Sequence, residues 1–374
     1  MPSSEIGDTP LKIGLDAQPL ATSRAGIGRY VLELCRELDA RLPDATFYCY
    51  SPRPITVALP SLRWIARVDS HPLACRVPSY WWLKARVHRL CAADGVGLFW
   101  ATRTILPRSG ATLRTVTTVH DLNHLLVPAS MPTFTRFAHR LFFYHDVRRA
   151  DAVITNSRGT ATRLTAHLGI RANGIARPGV SGAFANQERS DIEARLKRIG
   201  VHPPYFLAVG TLEPRKNLSP LIAAFLELCT SHPIAGYRLV IVGQPGWKNA
   251  PVTRQLAAAD ADRVRWLGYV ADDDLAALYQ AAAAFVMPSL YEGFGIPVLE
   301  ARASGTRVVA SDIPELREAG GPDAVYVTPD KEGIKRGLLR ILEDDGPRPS
   351  PTSAGWDEAG AVMAEILKKV GHHP

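Results

Sequence analysis

Residues 288–300 spell PSLYEGFGIPVLE and follow a short apolar run, residues 285–287, that predicts a buried strand. The stretch holds two glutamates eight positions apart, Glu292 and Glu300, with Gly-Phe-Gly-Ile-Pro between them. Pro297 suits the first turn of a helix, where its missing N–H is not needed for a helical hydrogen bond. A strand, a glycine-rich turn and a helix in this order predict one unit of an α/β fold.

The turn within this stretch predicts a binding site for an oxygen-rich ligand. Backbone N–H groups of Phe294 and Gly295 can point at a ligand oxygen where the helix starts. The Glu292 carboxylate beside them can accept hydrogen bonds from sugar hydroxyls. The alternative is an ordinary helix start at which the dipole favours acidic side chains. That alternative leaves the Gly-Phe-Gly-Ile-Pro segment unexplained.

A second stretch, GTLEPRKN at residues 210–217, directly follows another predicted strand, residues 206–209. Arg215 and Lys216 can hold a pyrophosphate, the arginine as a planar fork and the lysine as a point charge. Taken alone, an Arg-Lys pair is more often solvated surface. The position at the end of a strand favours the binding role.

Outward from these two stretches, apolar runs alternate with helical patterns along the chain, which predicts parallel βαβ units. A break rich in Pro and Gly at residues 177–182 and a second at 202–204 divide this pattern into two halves. Ser157 is predicted to cap a helix. The predicted strands are residues 12–17, 47–50, 115–119, 152–155, 206–209, 239–242, 264–267, 285–287 and 307–310. The predicted helices begin at 28 or span 134–142, 218–228, 275–283 and 356–370.

Together these segments resemble the family-4 glycosyltransferases, which are retaining enzymes of the GT-B fold. The 288–300 stretch carries that family's Glu-x7-Glu pattern and is the most specific part of the resemblance. Residues 51–110, which normally shape the acceptor site, match least. The other matching segments are the glycine-rich loop 26–30 (GIGRY), His120-Asp121, the diphosphate loop 210–217 and the start of the closing helix at 355–357 (GWD).

The resemblance implies two Rossmann-like, doubly wound domains facing a cleft. A chain of 374 residues is also longer than a single core usually supports. The implied division is an acceptor-binding domain at residues 1–185 and a nucleotide-sugar-binding domain at 186–350. Residues 351–374 form a linker and a helix that crosses back to the first domain.

The resemblance also implies roles for the two glutamates of the 288–300 stretch. Glu292, with the amides of Phe294 and Gly295, would bind a hydroxyl of the transferred sugar. Glu300 would take the ribose diol of the nucleotide. We see no compelling protein nucleophile for a double displacement, so the implied mechanism keeps the departing phosphate on the attacking face.

In the same way, Arg215 and Lys216 would neutralise the leaving diphosphate. Many family members carry an arginine directly after the first glycine of this loop, where this chain has Thr211. Arg215 is predicted to cover that charge. No metal or other cofactor is expected if the two cations serve.

In the first half of the chain, the resemblance places His120 near the transferred sugar and the acceptor. Gly26 and Gly28 would let the backbone approach phosphate or acceptor. Each has a structural alternative: a histidine after a strand often bonds only within the protein, and the two glycines can simply relieve a tight turn. A dinucleotide fingerprint is not present there.

The charge is uneven along the chain. Residues 1–185 hold 23 Lys and Arg against 12 Asp and Glu, a net +11, whereas residues 186–374 hold 21 against 24, a net −3. The basic half predicts attraction to an anionic membrane or a phosphate-bearing acceptor. Nucleic acid is a weaker candidate because no recognised motif is present. Tyr80–Cys91 predicts either a basic helix on the membrane or, slightly favoured, an amphipathic helix packed on the first domain.

Five cysteines without a CxxC pair and the lack of a visible signal peptide predict a cytoplasmic protein with reduced thiols. From the family resemblance we expect a retaining hexosyltransferase of surface polysaccharide assembly, such as lipopolysaccharide O-antigen. GDP-mannose is the first expected donor and a polyprenyl-diphosphate-linked glycan the expected acceptor. Three acidic residues at 272–274 could suggest metal binding, but their place before a helix favours a capping role. The alternatives are another GT-B enzyme, such as a nucleotide-sugar epimerase, and a catalytically silent module that binds a nucleotide sugar or a partner.

Overall fold

The computed structural model describes residues 10–22, 26–108, 110, 112–184, 188–231, 234, 236–352 and 354–372. The chain forms two compact units. The first unit takes in the residues up to 120, residues 137–178 and those from 356 onward. The second unit takes in residues 121–136 and 179–355.

The helices alternate with the strands along the chain, as the sequence predicts. They are α1 Gln18–Thr22, α2 Ile27–Arg41, α3 Ser79–Trp82, α4 His88–Asp94, α5 Asn123–Leu126, α6 Thr133–Arg149, α7 Arg158–Leu168, α8 Arg189–Ile199, α9 Leu218–Ser231, α10 Ala250–Ala258, α11 Asp272–Ala281, α12 Ile296–Ala303, α13 Pro314–Gly320, α14 Lys331–Glu343 and α15 Asp357–Gly371. A π-helical turn, Leu83–Val87, joins α3 to α4. The Ser157 hydroxyl accepts a hydrogen bond from the Thr160 N–H and caps α7, which confirms the predicted cap.

The first unit is built on a seven-stranded parallel sheet in the order β3-β2-β1-β4-β5-β6-β7. Its strands are β1 Lys12–Asp16, β2 Thr46–Ser51, β3 Trp64–Val68, β4 Leu98–Ala101, β5 Arg114–Val119, β6 Ala152–Thr155 and β7 Gly174–Ile175. The C-terminal helix α15 packs against α2 and the same sheet. Its Trp356 ring meets the Tyr30 ring edge-on, with 5.7 Å between centroids.

The second unit is built on a six-stranded parallel sheet in the order β10-β9-β8-β11-β12-β13. Its strands are β8 Tyr205–Val209, β9 Arg238–Val242, β10 Val264–Trp266, β11 Ala284–Met287, β12 Val308–Ser311 and β13 Val325–Val327. The strand order reverses between β8 and β11, and in such sheets the crevice at the carboxyl ends of those two strands binds ligands. Both stretches that the sequence singles out begin at those ends.

The predicted strands are confirmed to within about two residues, and the sheets contain further strands that the sequence analysis does not predict. β3 was missed because four of its five side chains are at least partly exposed and give no apolar run. β4 is fully buried but only four residues long, which is too short for a periodic signal. In the described part of the chain, no helix has the length and apolar character needed to cross a bilayer.

The segment Tyr80–Cys91 is helical, and its apolar side faces the core of the first unit. Trp82, Leu83 and Val87 are buried in a cluster with aromatic side chains of the sheet. This burial supports the packed amphipathic helix and removes the apolar face that a membrane-bound helix would use.

Candidate active site

The candidate site lies in the second unit, where the loops after β8, β9 and β11 begin. Gly210 and Gly243 both have positive φ angles, 154° and 148°. A Cβ placed on Gly243 would lie 1.9 Å from the carbonyl oxygen of Gly210, so the two loops touch at a point where only glycine fits. Gly295 has a φ of 109° directly before α12, and a Cβ there would lie 2.6 Å from a Leu316 methyl group. These close approaches fix the loops that carry the charged residues.

The centre of the site is the buried carboxylate of Glu292. Its Oε1 accepts a hydrogen bond from Lys216 Nζ at 2.7 Å, and its Oε2 accepts one from Arg215 Nη1 at 2.5 Å. Burial alone would raise the pKa of Glu292, but the charges of Arg215 and Lys216 outweigh it and lower the pKa to about 2. The carboxylate is therefore ionised at any physiological pH.

Arg215 is held on two sides by acceptors of the protein. The buried Glu213 accepts from its Nε at 3.0 Å and its Nη2 at 2.6 Å, while Nη1 also donates to the Tyr291 carbonyl at 2.9 Å. Burial would lower the pKa of Arg215, but the charges of Glu292, Glu213 and Asp121 raise it. With the bond to Glu292, four of the five guanidinium N–H groups are engaged. Glu213 thus orients Arg215, and the Nη1 contacts of Arg215 tie the 210–217 loop to the loop after β11.

Lys216 is the less committed of the two cations. Its ammonium group makes one hydrogen bond, to Glu292, among the residues that the structure describes. An ammonium carries three N–H donors, so two remain available for an anionic ligand. The structure thus brings Glu292, Arg215 and Lys216 together, with the planar fork of Arg215 facing Glu213. Thr211, which stands where relatives often carry arginine, is exposed.

The backbone at the start of α12 offers further donors. The Phe294 side chain is buried in the core of the second unit. Within the described ranges, the N–H groups of Phe294 and Gly295 have no hydrogen-bond acceptor. Together with the helix dipole, these donors form a site for a ligand oxygen.

Glu300 lies one turn into α12 and is buried. The Tyr279 hydroxyl of α11 donates to Glu300 Oε2 at 3.1 Å, and Thr306 in turn donates to the Tyr279 carbonyl at 2.5 Å. Tyr279 therefore fixes one oxygen of this carboxylate. The sequence analysis missed Tyr279, because it falls in an Ala/Leu-rich helix where an aromatic residue indicates only core packing.

The remaining predicted site residues belong to the first unit. His120 follows β5, is buried, and its Nε2 lies 2.7 Å from the Thr102 carbonyl oxygen. That contact makes Nε2 the protonated nitrogen when the ring is neutral, and the ring meets the Tyr30 ring edge-on at 5.0 Å. Gly28 is buried inside α2, and Gly26 has a φ of 56° directly before that helix. This positive φ supports the tight-turn role of Gly26, because glycine adopts such an angle without steric cost.

Residues 121–136 add contacts to the second unit that the sequence analysis did not foresee. The Leu122 N–H donates to the Tyr291 hydroxyl at 2.9 Å, and Trp247 Nε1 donates to the Ser130 carbonyl. Lys248 Nζ donates to the Ala129 carbonyl at 2.7 Å. A stretch from the first half of the chain thereby lies against loops that border the candidate site.

The three aspartates at 272–274 form the first turn of α11, but the capping position itself is Ala271 and no side chain caps the helix. Asp274 instead forms ion pairs with Arg195 and Arg198. The capping role predicted for them is therefore wrong, because the capping position is Ala271, and the three acids lie in the first turn, where the helix dipole favours them. Among the described residues, no group of three His, Cys, Asp or Glu side chains is arranged to hold a metal ion.

Comparison with known proteins gives matches over most of the chain. Residues 191–361 match the model for glycosyl transferases group 1, and residues 24–177 match that for glycosyltransferase family 4. The O-antigen chain mannosyltransferase RfbU of Salmonella typhimurium is 32% identical over 276 residues, which cover 73% of this chain and 71% of that protein. The O-antigen chain mannosyltransferase B of Escherichia coli is 27% identical over 367 residues, which cover 93% of this chain and 95% of that protein. Sucrose-phosphate synthase from Thermosynechococcus elongatus shares the fold, with a TM-score of 0.71 and 21% identity over 96% of this chain and 94% of that chain.

Proposed function

Because this chain belongs to the group 1 and family 4 glycosyltransferases, enzymes of the GT-B fold, we propose that it transfers mannose from GDP-mannose with retention of the anomeric configuration. The acceptor is a growing glycan of a surface polysaccharide of the O-antigen type. The names of the two mannosyltransferase relatives support the choice of sugar and of polysaccharide. The donor base, the sugar and the acceptor are the parts of this proposal that need direct measurement.

The observation that carries the proposal is the Lys216–Glu292 pair at the carboxyl end of the sheet, beside the unpaired amides before α12. Breaking a sugar–diphosphate bond places negative charge on the leaving group. A lysine with two available N–H donors stabilises that charge without reorganising when the bond breaks. The ionised Glu292 accepts a hydrogen bond from a hydroxyl of the transferred sugar.

The proposed bond changes are those of a retaining transfer, which the family resemblance implies. The bond between the anomeric carbon and the diphosphate oxygen breaks, and the electron pair leaves with the diphosphate. The acceptor hydroxyl forms the new bond on the face that the diphosphate leaves, and its proton passes to a diphosphate oxygen. Glu300, with one oxygen fixed by Tyr279, accepts hydrogen bonds from the ribose diol. The family resemblance assigns His120 to the acceptor side, and its Nε2 donates to the Thr102 carbonyl oxygen.

We also propose that the acceptor is carried on a polyprenyl diphosphate and that the enzyme works at the cytoplasmic face of the inner membrane. The net charge of +11 over residues 1–185 supports attraction to anionic lipid and to a diphosphate-linked acceptor. The relatives' role in O-antigen chains supports a lipid-linked glycan.

A donor screen tests the proposal. The purified enzyme is mixed with GDP, UDP, ADP and dTDP, each free and as its common sugars, without added metal, and its thermal unfolding is followed. A ligand at about 100 times its Kd adds about 2.7 kcal/mol. We expect GDP and GDP-mannose alone to stabilise the protein, and Lys216→Ala to abolish the effect. Lys335→Ala is the matched control, because this lysine of the same unit pairs with Glu227, which is not part of the candidate site.

Product analysis completes the test. The enzyme is incubated with the stabilising donor and a synthetic polyprenyl-diphosphate glycan. The configuration of the new linkage is assigned by NMR from the one-bond coupling between the anomeric carbon and its hydrogen. An α-mannosyl product supports the proposal in full. Stabilisation by another nucleotide overturns the proposed donor. A product with inverted configuration overturns the retaining mechanism.

A further inference from the structure

The outward face of α6 carries a row of large apolar side chains that the first unit leaves uncovered. Phe137, Leu141 and Tyr144 are 59%, 49% and 44% exposed. They stand at positions i, i+4 and i+7, so they lie along one line of the helix. We call these three residues the α6 ridge. Single exposed apolar residues are ordinary, but a contiguous row on one helix face indicates an interaction surface.

The opposite face of α6 fixes the direction of the ridge. Phe143 and Val147 are buried, and Asp146 is fully buried against Lys84 Nζ, which lies 2.5 Å from both carboxylate oxygens. Burial lowers the pKa of Lys84 although the Asp146 carboxylate raises it. Turning the ridge inward would expose this ion pair, so the helix is held with the ridge facing out.

Positive charge surrounds the ridge. Arg140 and Arg148 are exposed on the same side of the helix, and Arg148 Nη1 donates to the Tyr144 hydroxyl at 2.6 Å. The one acid in α6, Asp146, is buried and neutralised. From residue 70 to 150 the chain holds 11 Lys and Arg against 3 Asp and Glu, a net +8.

Another exposed aromatic residue borders this surface. Trp81 of α3 is 46% exposed and meets the Phe142 ring of α6 edge-on at 5.4 Å. The segment from α3 to α4 thus takes part in the surface through Trp81, while its own apolar side is buried. The membrane-bound helix was the less favoured of the two predictions for this segment, and the structure places an uncovered apolar row on α6 instead.

From these observations we propose that the α6 ridge, with Arg140, Arg148 and Trp81, docks the enzyme on an anionic lipid bilayer. Aromatic rings and leucine bury at the level between head groups and acyl chains, while arginine guanidinium groups bind lipid phosphates. Such binding needs no matching shape in the partner, which suits a row of separate side chains without a groove. The inference deepens the membrane part of the proposed function, but the docking requires neither a donor nor sugar transfer.

Vesicle flotation of the purified full chain tests the surface. The vesicles contain phosphatidylcholine alone or phosphatidylcholine with phosphatidylglycerol, at low and high salt. We expect binding to the anionic vesicles only, weakened by salt. Arg140→Gln should lower the partition coefficient about fivefold. The double variant Phe137→Ser, Leu141→Ser should lower it by about tenfold or more.

Two control variants keep the test specific. Leu62→Ser removes a fully exposed leucine of the same unit, and Arg36→Gln removes an exposed arginine of α2. Both should bind vesicles as the wild type does. An unchanged unfolding temperature shows that the ridge variants are folded. Unchanged sugar transfer to a short water-soluble acceptor shows that the proposed activity does not depend on docking.

Two results overturn the inference. Ridge variants that still float with anionic vesicles show that another surface binds the lipid. A concentration-dependent dimer in sedimentation velocity that the ridge variants lose, with no vesicle binding by the wild type, assigns the ridge to a second copy of the chain.

Discussion

Replacing Glu213 with glutamine should slow turnover without weakening the binding of the donor. Glu213 is buried, and one of its oxygens accepts from both Nε and Nη2 of Arg215. That contact leaves Nη1 directed at Glu292, so Glu213 sets the orientation of the guanidinium that in turn holds Glu292. Glutamine keeps the shape but removes the charge, and its amide N–H groups cannot face a guanidinium.

The size of the effect follows from the contacts. A hydrogen bond to a charged group contributes about 1.5–3 kcal/mol, and the neutral amide oxygen of glutamine recovers part of that. If the loss appears only in the transition state, kcat falls about 10- to 100-fold. Glu213 and Glu292 balance Arg215 and Lys216, so removing Glu213 leaves one excess positive charge. An anionic donor should therefore show an unchanged or lower KM.

Steady-state kinetics with the donor that the thermal screen selects measure both parameters. Glu227→Gln is the matched control, because Glu227 also accepts from two cations, Lys331 at 2.7 Å and Lys335 at 2.5 Å, away from the site. That variant should leave kcat within about twofold, since surface pairs contribute little. A Glu213→Gln enzyme with normal kcat and a raised KM would refute the positioning role. Additive effects of Glu213→Gln and Arg215→Lys in a double-mutant cycle would refute it as well.

Three further outcomes follow from the structure. The pKa of Glu292 is lowered from 4.5 to about 2, so its ionised carboxylate stabilises the fold fully above pH 4.5 and less as the pH falls toward 2. Denaturant titrations across this window should show that the free energy of unfolding of Glu292→Gln changes by about 3 kcal/mol less than that of the wild type. The same change in both proteins would contradict the lowered pKa. Gly243→Ala should give insoluble or strongly destabilised protein by calorimetry, because its Cβ would overlap the Gly210 carbonyl oxygen; a Tm equal to that of the wild type would show that the two loops can separate. Lys84→Ala should cost about 1.5–3 kcal/mol of unfolding free energy, because Asp146 loses the bond to its lysine but keeps its ion pair with Arg149, and a loss below about 0.5 kcal/mol would show that the Lys84–Asp146 pair does not stabilise the fold.

The sequence predicts most of the frame of this molecule because parallel sheets have a strong signal. Strands buried on both faces appear as continuous apolar runs, and β1, β8, β9 and β11 all show this pattern. The ligand loops begin where such runs stop, so the positions of the 210–217 and 288–300 stretches at the sheet edge also follow from sequence. A half-exposed edge strand such as β3 carries no comparable run and was missed for that reason.

The sequence does not predict which partner each charged side chain of those loops contacts. GTLEPRKN places an acid and two cations within four residues, and several pairings within the loop and with Glu292 are compatible with that spacing. The structure selects one: Arg215 bridges Glu213 and Glu292, and Lys216 bonds to Glu292 alone among the described residues. The choice depends on the loop after β11, which approaches from elsewhere in the chain and supplies the Tyr291 carbonyl as a further acceptor. A cation with nearly all donors engaged serves the site by holding Glu292 in place, whereas one with two free donors can meet the substrate. On the proposed function, the same motif supplies a positioning residue, Arg215, beside a binding residue, Lys216, and their hydrogen-bond partners distinguish the two.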